Sequence, residues 1–235
     1  MLKVSRQPDG RPEIFYSIQG EGVNIGKPAV FLRLSLCNLA CTWCDTRYTW
    51  DWEQYDPKEQ ILEMSVEDIT REVLKYNCKY LVVTGGEPLM QHSQLVPLLK
   101  RLKNAGFHIE METNGTIVPR SELVDLIDQW SVSPKLENSG NPPSSRENPK
   151  AYKFFSKLPS SCFKYVIQEE NDLAEVKRRI QEYDIAREKI VLMPEGKDRE
   201  ALLERSRWLA ELCKDEGYRL STRLQVLLWD NRRGV

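Results

Sequence analysis

The chain has 235 residues, of which 40% are hydrophobic and 29% are charged. That mixture is too apolar for a disordered chain and suits a globular protein with a sizeable core. Basic and acidic residues number 34 and 35, giving a formal net charge of -1. Such an even balance argues against a broad nucleic-acid or membrane-binding surface, so we expect no nucleic-acid partner and no membrane partner.

The N-terminus and the hydropathy pattern predict a cytoplasmic protein. The first residues contain neither the apolar core of a signal peptide nor a small-residue cleavage site. No apolar run approaches the roughly 18 residues that a membrane span requires. In the reducing cytoplasm, closely spaced cysteines are more often metal ligands or redox groups than disulfide partners.

Strand-like and helix-like segments alternate along the chain. Short apolar runs predict strands at residues 29–36, 79–84, 107–112, 130–133, 163–168, 189–193 and 224–229. Helical spacing of leucines and capping residues predicts helices at 65–77, 93–105, 120–128, 171–183 and 198–216. This alternation is typical of a parallel sheet with helical crossovers. About six units are too few for an eight-unit barrel, so we predict an α/β fold, an incomplete (β/α)6-type TIM barrel. A flat doubly wound sheet is the second candidate.

We expect one domain spanning residues 1–235, with two irregular segments. The segment 47–63 holds Trp50, Trp52 and Tyr55 among charged residues. It either covers a site or a partner surface, or packs onto the core. The Pro/Ser/Asn-rich segment 136–149 predicts a surface excursion that could serve as a lid.

Three of the six cysteines follow the first predicted strand at CxxxCxxC spacing: Cys37, Cys41 and Cys44. A closed zinc site needs four ligands, and His92 and His108, the chain's two histidines, are far from this loop in sequence. Three thiolates on one loop suit a [4Fe–4S] cluster that keeps one iron open to a small molecule. The other cysteines stand alone and are expected to be small buried hydrophobes. They are Cys78, Cys162 and Cys213.

Polar clusters follow several of the predicted strands. They occupy residues 84–88 (TGGEP), 112–115 (ETNG), 133–135 (SPK) and 193–196 (MPEG). The two glycines of the first cluster let the backbone approach a ligand closely. Because barrel sites are built from loops at the carboxyl ends of the strands, we expect these clusters to meet in one site.

The CxxxCxxC loop and the GGEP turn resemble the radical S-adenosylmethionine (SAM) superfamily. Further features are Ile18-Gln19-Gly20-Glu21-Gly22, Asp45-Thr46 directly after Cys44, and the tail at 227–235. With them the chain resembles the 7-carboxy-7-deazaguanine synthase (QueE) family over nearly its whole length.

The resemblance implies an enzyme of queuosine and 7-deazapurine biosynthesis. The implied reaction rearranges 6-carboxy-5,6,7,8-tetrahydropterin to 7-carboxy-7-deazaguanine with loss of ammonia. The implied cofactors are a [4Fe–4S] cluster, SAM used catalytically, and Mg²⁺. The implied partners are the small pterin substrate, a flavodoxin-like or other reductant, and a second copy of the chain in a homodimer.

The resemblance also assigns roles to residues. The cluster ligands are Cys37, Cys41 and Cys44, the Mg²⁺ ligand is Thr46, and residues 1–28 form an N-terminal substrate-binding extension. The implied catalytic residues are Glu112 and Arg33. The implied substrate contacts are Ile18, Gln19, Gly20, Arg33 and Thr84. The implied SAM contacts are Trp43, Cys44, Asp45, Gly86, Ser133, Pro134, Lys135, Met193, Pro194 and Glu195.

The last predicted strand departs from the family pattern. The family often has L-H-V there, whereas this chain has Leu224-Gln225-Val226. An amide cannot accept a proton as imidazole does, so contacts from this segment stay open. Gln168, on the fifth predicted strand, is a further candidate contact.

Two other functions share parts of this pattern. A glycyl-radical-enzyme activase would have the same cysteine loop, GGEP and T-N-G turns, but it acts on a protein backbone and consumes SAM. A binding module that uses a cluster only for electron transfer or sensing would release no deoxyadenosine. Arg33 and the QGEG segment favour a small carboxylic acid as substrate.

Overall fold

A computed structural model describes residues 1–230 and 232–235. Within them the strands are β1 (Leu2–Ser5), β2 (Ile14–Ile18), β3 (Pro28–Leu34), β4 (Ile61–Met64), β5 (Tyr80–Gly85), β6 (His108–Thr113), β7 (Gln129–Val132), β8 (Ser161–Ile167), β9 (Ile190–Pro194) and β10 (Arg219–Leu220). The α-helices are α1 (Pro57–Gln60), α2 (Val66–Val73), α3 (His92–Asn104), α4 (Ser121–Val124), α5 (Pro143–Arg146), α6 (Pro149–Lys157), α7 (Asp172–Tyr183), α8 (Arg199–Glu216) and α9 (Leu224–Trp229).

The strands form one sheet in the order β10-β9-β8-β7-β6-β5-β3-β1-β4, with β2 paired to β3. From β3 through β10 every neighbouring pair is parallel. The predicted parallel sheet with helical crossovers is therefore confirmed. Strands β3, β5, β6, β7, β8 and β9 form six main units, and the two-residue β10 lies at one end of the sheet.

An antiparallel extension, which the sequence patterns did not predict, flanks the parallel strands. Strand β1 pairs with both β3 and β4, and β2 pairs with β3, all antiparallel. Residues 61–63 of the predicted insertion belong to β4, so this end of the insertion packs as a sheet edge. Strands β1 and β2, which precede β3 in the chain, thus both pair with β3, the first parallel strand, and the cysteine loop follows that strand.

The prediction of a last strand at 224–229 is wrong, because this segment is helix α9. A six-residue apolar run does not distinguish a strand from a short helix by pattern alone. In α9 Val226 is buried while its neighbours are partly exposed, and its carbonyl accepts a hydrogen bond from the Asp230 N–H at 2.9 Å. The predicted helix at 120–128 is also shorter than expected, with only α4 in helical conformation.

One large apolar core lies between the sheet and its crossover helices. It contains the inward side chains of the parallel strands and the leucine face of α3, including Leu95, Leu98 and Leu102. Cys162 and Cys213 are buried as predicted, whereas Cys78 is half-buried. Among residues 1–230 and 232–235, no helix has the length and apolar character needed to cross a bilayer.

Candidate active site

A cavity of about 240 Å³ opens at the carboxyl ends of the parallel strands. Its walls come from nearly every segment that the sequence singled out, although these are far apart along the chain. The predicted site residues that line it are Ile18, Gln19, Gly20, Arg33, Cys37, Cys41, Trp43, Cys44, Asp45, Thr46, Thr84, Gly86, Glu112, Ser133, Lys135, Met193 and Glu195. Pro134, Pro194 and Gln168 are not among the lining residues.

The cysteine loop leaves β3 through a strained residue. Leu36 has a φ of 75°, a left-handed conformation that is costly for a branched side chain. Its N–H donates to the Thr49 carbonyl at 2.7 Å, which holds the turn in place. All three thiols of the loop reach the cavity wall, and none forms a disulfide.

Two N–H groups point at sulfur atoms of the loop. Trp50 Nε1 donates to Cys44 Sγ at 3.3 Å, and Asn141 Nδ2 donates to Cys41 Sγ at 3.3 Å. Burial raises the pKa of the Cys37 thiol to about 12 and also raises that of Cys41. Residues 1–230 and 232–235 contain no group of three or more His, Cys, Asp or Glu side chains arranged to hold one metal ion.

The segment 136–149 packs against the cysteine loop. The Ser139 carbonyl accepts a hydrogen bond from the Thr42 N–H at 3.0 Å, and Asn141 Oδ1 accepts one from the Ala40 N–H at 2.9 Å. Ser139, Asn141 and Arg146 are buried. The segment therefore shapes the loop from outside and supplies the amide that faces Cys41. Its predicted role as a lid stays a prediction.

The GGEP turn fits against the same loop with no room for side chains. A Cβ on Gly86 would lie 2.0 Å from the Leu36 carbonyl oxygen, and one on Gly85 would lie 2.0 Å from the Leu34 carbonyl oxygen. Gly85 also has a φ of 131°, which favours glycine. Only glycine at both positions lets this turn approach the chain that enters the cysteine loop.

Glu87 of the same turn is fully buried and fastens the turn to the end of β6. Its carboxylate accepts hydrogen bonds from Thr113 Oγ1 at 2.8 Å and from the Asn114 N–H at 2.6 Å. Burial raises its pKa, and these donors act in the opposite direction. Glu87 thus positions two of the strand-end turns, although it does not line the cavity.

On the opposite side, Gln19 meets Glu112 and Thr84. Gln19 Nε2 donates to Glu112 Oε1 at 3.2 Å, and Thr84 Oγ1 donates to Glu112 Oε2 at 2.6 Å. Both oxygens of Glu112 are therefore oriented before any ligand enters. This cluster joins the QGEG segment to strands β5 and β6.

Arg33 extends from β3 into the same part of the cavity. Its Nε donates to Glu13 Oε1 at 3.0 Å, and Tyr48 donates its hydroxyl to the same oxygen at 3.0 Å. Arg233 Nη2 donates to the other oxygen of Glu13 at 2.8 Å. Burial by itself would lower the pKa of Arg33, but the electrostatic influence of Tyr48 and Glu13 holds it above its ordinary value. The guanidinium is thus a permanent cation with a fixed plane.

Two aromatic rings form an apolar wall beside Arg33. Phe15 and Phe31 stack with ring centroids 5.1 Å apart, and both line the cavity. They face each other across the β2–β3 pair, in which they are direct partners. Such a wall suits a flat heteroaromatic ligand.

A buried network of charges closes the side of the cavity near α9. Glu21 accepts hydrogen bonds from Lys164, from Arg223 Nε at 3.2 Å and from Gln225 Nε2 at 2.8 Å. Arg223 also pairs with Asp45 and donates to the Gly196 carbonyl at 2.6 Å. Burial would raise the pKa of Glu21, but Lys164 and Arg223 hold it well below its usual range.

Gly20 and Gln225 are in very close contact. A Cβ on Gly20 would lie 1.7 Å from Gln225 Oε1, so the amide occupies the space of a side chain. That Oε1 is buried and has no hydrogen-bond partner among the described residues. Gln225, which stands where the family often has His, thus lies at the cavity wall, on helix α9 rather than on a strand.

The wall near the predicted SAM contacts combines an ammonium group with an aromatic ring. Lys135 Nζ donates to Ser133 Oγ at 2.9 Å and lies 5.5 Å from the centre of the Trp43 ring. Trp43 Nε1 donates to Asn138 Oδ1 at 3.2 Å. Glu195 is paired with Arg205. Most of these side chains therefore have fixed orientations.

Sequence reasoning missed several lining residues. Glu21 was inside a recognised motif, so its chemistry could have been considered. Val235 belongs to the tail that the sequence analysis noted, whereas Phe15, Lys164 and Arg223 carry no local motif and meet the others only through the fold. No spacing rule in one sequence would have found them.

Comparisons with known proteins agree with this geometry. Residues 33–133 match the Radical SAM superfamily. The chain is 38% identical to a 7-carboxy-7-deazaguanine synthase of Pyrobaculum aerophilum, covering 94% of this chain and 95% of that protein. It is 37% identical to the synthase of Halobacterium salinarum, covering 93% and 90%. The crystal structure of QueE from Escherichia coli superposes with a TM-score of 0.69 at 25% identity, covering 94% of each chain.

Proposed function

The chain belongs to the 7-carboxy-7-deazaguanine synthase family of radical SAM enzymes, and we infer that it converts 6-carboxy-5,6,7,8-tetrahydropterin to 7-carboxy-7-deazaguanine with loss of ammonia. The main support is that one cavity is lined by the CxxxCxxC thiols together with Gln19 and Arg33. The chain is also 38% identical to a named synthase over 94% of its length. The reaction belongs to 7-deazapurine biosynthesis.

The cysteine loop has the donor chemistry that an iron–sulfur cluster requires. Three thiols share a cavity wall, and N–H donors already face two of the sulfurs, as is usual around such clusters. We assign Cys37, Cys41 and Cys44 as ligands of a [4Fe–4S] cluster. Held by these three thiols, a bound cluster together with SAM would supply radical chemistry for hydrogen abstraction from the substrate.

The chain's contribution at the SAM side is to bind and orient. The glycine turn at 85–86 exposes backbone groups at close range, which suits the amino acid end of SAM. Lys135 and Trp43 provide a cationic and aromatic wall, and Met193 an apolar one. Asp45 is held by Arg223, so we assign it a fixed orientation rather than a free carboxylate. Pro134 and Pro194 would act only by shaping their turns.

The chain's contribution at the substrate side is recognition of a carboxylated pterin. Arg33 presents a forked guanidinium that matches a carboxylate. Phe15 and Phe31 cover the flat ring, and Gln19 with the backbone at 18–20 offers donors and acceptors to its edge. These three features together select a small aromatic acid over a protein backbone, which disfavours the activase alternative.

Glu112 is the candidate for proton transfer. Its two oxygens are held by Gln19 and Thr84, which orient the carboxylate toward the cavity. A carboxylate in that position can accept a proton from a ring carbon of the substrate and return it to the nitrogen that leaves as ammonia.

Family resemblance also leads us to propose a Mg²⁺ site at Thr46. Thr46 lines the cavity next to Cys44, and its hydroxyl is a hard oxygen donor that suits Mg²⁺ when water and substrate complete the shell. We also propose a flavodoxin-like or other one-electron reductant, a homodimer, and a cytoplasmic location.

Anaerobic reconstitution tests the function directly. The protein is loaded with iron and sulfide, reduced with dithionite, and incubated with carboxytetrahydropterin, SAM and Mg²⁺. We expect 7-carboxy-7-deazaguanine in the chromatogram and SAM that survives turnover. A product-free reaction contradicts the synthase. If no product forms, loss of SAM with release of deoxyadenosine supports the activase, and intact SAM without deoxyadenosine supports the cluster-only module.

Cysteine variants test the cluster assignment with a matched control. Changing Cys37, Cys41 or Cys44 to Ala is expected to abolish the visible absorbance and the EPR signal of the reduced cluster. The Cys78→Ala variant removes a half-buried thiol outside the cavity and is expected to retain both. Retention of the signals in the loop variants would contradict the assignment.

A further inference from the structure

A second carboxylate lies directly beneath Glu112. Glu110 is two residues earlier on β6, so both side chains project from the same face of the strand. Glu110 is only 1% exposed and does not line the cavity, whereas Glu112 does. Neither the sequence motifs nor the reaction described above uses Glu110.

The two carboxylates share one amide. Gln19 Nε2 donates to Glu110 Oε1 and to Glu112 Oε1, at 3.2 Å in each case. Gln19 Oε1 accepts from the Glu21 N–H, also at 3.2 Å. The Gln19 side chain is therefore held on three sides, and Glu110 supplies the partner that lies deepest in the barrel.

The other oxygen of Glu110 is bound from the opposite direction. Tyr80 donates its hydroxyl to Glu110 Oε2 at 2.7 Å, and Asn24 Nδ2 donates to the same atom at 3.0 Å. Burial first, and then the charge of Glu112, raise the pKa of Glu110 to about 7. The carboxyl therefore changes charge near neutral pH.

We propose that Glu110 is a positioning residue for the pterin site: it fixes the Gln19 amide and, through it, Glu112, and its charge acts on the bound carboxylated ligand. The proposal rests on the proposed function, because it assumes that the cavity binds a carboxypterin. Loss of Glu110 leaves a buried Gln19 N–H without its deep acceptor, which weakens a site substantially. Ionised Glu110 places a second negative charge beside Glu112, which lines the cavity, and like charges disfavour the binding of an anionic ligand there.

Several other ionisable groups lie near Glu110, and a pH experiment must distinguish their titration from that of Glu110. Glu112 lies on its own strand, and Tyr80 approaches from β5 with the His108 ring stacked on it at 4.8 Å. Lys27 lies above the Tyr80 ring. Lys164 and Cys162 of β8 approach from the other side. A substitution at Glu110 abolishes the titration of that carboxyl and leaves these other groups in place.

The probe is pterin-6-carboxylate, a stable fluorescent acid, and the measured quantity is its Kd from about pH 5.5 to 8.5. For the wild-type protein we expect binding to weaken about three- to tenfold as pH rises through 7, because Glu110 ionises. The Glu110→Gln variant keeps an acceptor for Gln19 and cannot ionise. Its Kd is expected to lack this rise, and the ratio of the two Kd values at each pH cancels titration of the ligand.

Two further variants separate positioning from charge. The Glu110→Ala variant removes the acceptor and is expected to weaken binding about tenfold or more at all pH values, whereas Glu110→Gln restores affinity. Tyr80→Phe removes a donor that stabilises the ionised form, so it is expected to move the midpoint to higher pH. Tyr16→Phe, at a 49% exposed side chain on β2, is the matched control.

The outcomes are distinct. Absence of probe binding to the wild-type protein overturns the proposed function. Wild-type binding with an unchanged pH dependence in Glu110→Gln overturns the inference alone, and so does unchanged affinity in Glu110→Ala. If Glu110→Ala does not fold, the comparison of Glu110→Gln and Tyr80→Phe with the wild type still decides the matter.

Discussion

Replacing Arg223 by Gln is expected to loosen three cavity segments together. The guanidinium contacts Glu21 of the QGEG segment, Asp45 of the cysteine loop and the carbonyl of Gly196 after β9. The Arg223 and Glu21 side chains are only 12% and 15% exposed, so water does not replace the lost pair. Glutamine keeps one donor but neither the charge nor the fork.

The expected loss of unfolding free energy depends on which partners Glu21 and Asp45 keep after Arg223 is replaced. Breaking a buried pair by removing one partner costs about 3 to 5 kcal/mol. Lys164 and Gln225 still satisfy Glu21, and Asp45 is 35% exposed and can be hydrated. We therefore expect the free energy of unfolding to fall by about 2 to 3 kcal/mol, below that range, since the charge left behind is partly compensated.

Urea unfolding followed by tryptophan fluorescence measures this loss. Arg223→Lys is expected to lie between wild type and Arg223→Gln, because it keeps the charge without the three-way fork. The control is Lys177→Gln, which breaks a surface pair with Glu216 between α7 and α8, outside the cavity, and it should leave stability unchanged within error. If Arg223→Gln is no less stable than this control, the reasoning from burial is wrong.

Further predictions concern the cluster loop, the magnesium ligand and acid stability. Gly86→Ala would place a Cβ 2.0 Å from backbone, so we expect reconstitution to give less than about half of the wild-type cluster absorbance. In Gly106→Ala the new Cβ meets nothing within 4 Å, and the φ of 81° strains only the turn after α3, so the cluster absorbance should not fall. Thr46→Val is expected to raise the Mg²⁺ concentration for half-maximal turnover about tenfold while cluster absorbance is unchanged. The folded-state pKa of Glu21 is held low by Lys164 despite burial, so its stabilising contribution is present at neutral pH and lost as pH falls below about 4. Glu21→Gln should flatten that acid loss of stability in urea unfolding at successive pH values.

The parallel part of the fold was predictable because its signals are local and repeated. Helices α3 and α8 show a leucine pattern, and the capping Ser65 and the Gly106 stop lie where α2 and α3 require them. The antiparallel extension was not predictable from pattern. Strands β1 and β4 have four residues each, too few for a periodicity to stand out.

The candidate site was predictable where motif and chemistry coincide. Cys37 and Gly86 belong to segments whose spacing carries meaning without a structure. Lys164 and Arg223 do not, because each acquires a role only through a partner more than a hundred residues away. The segment 224–229 shows the same limit, since its composition suits a strand and its surroundings make it a helix.

The near-neutral charge of the chain extends into the cavity, and this bears on the proposed recognition of a carboxylate. Four cationic side chains line it, namely Arg33, Lys135, Lys164 and Arg223, and four carboxylates oppose them. Lys164 and Arg223 are committed to Glu21, so their charge is already neutralised inside the protein. Arg33 donates its Nε–H to Glu13, and its side chain lines the cavity. Lys135 lies at the proposed SAM wall beside Trp43, so we propose that the substrate carboxylate binds Arg33, next to the phenylalanine wall, where the acid and the ring are recognised together.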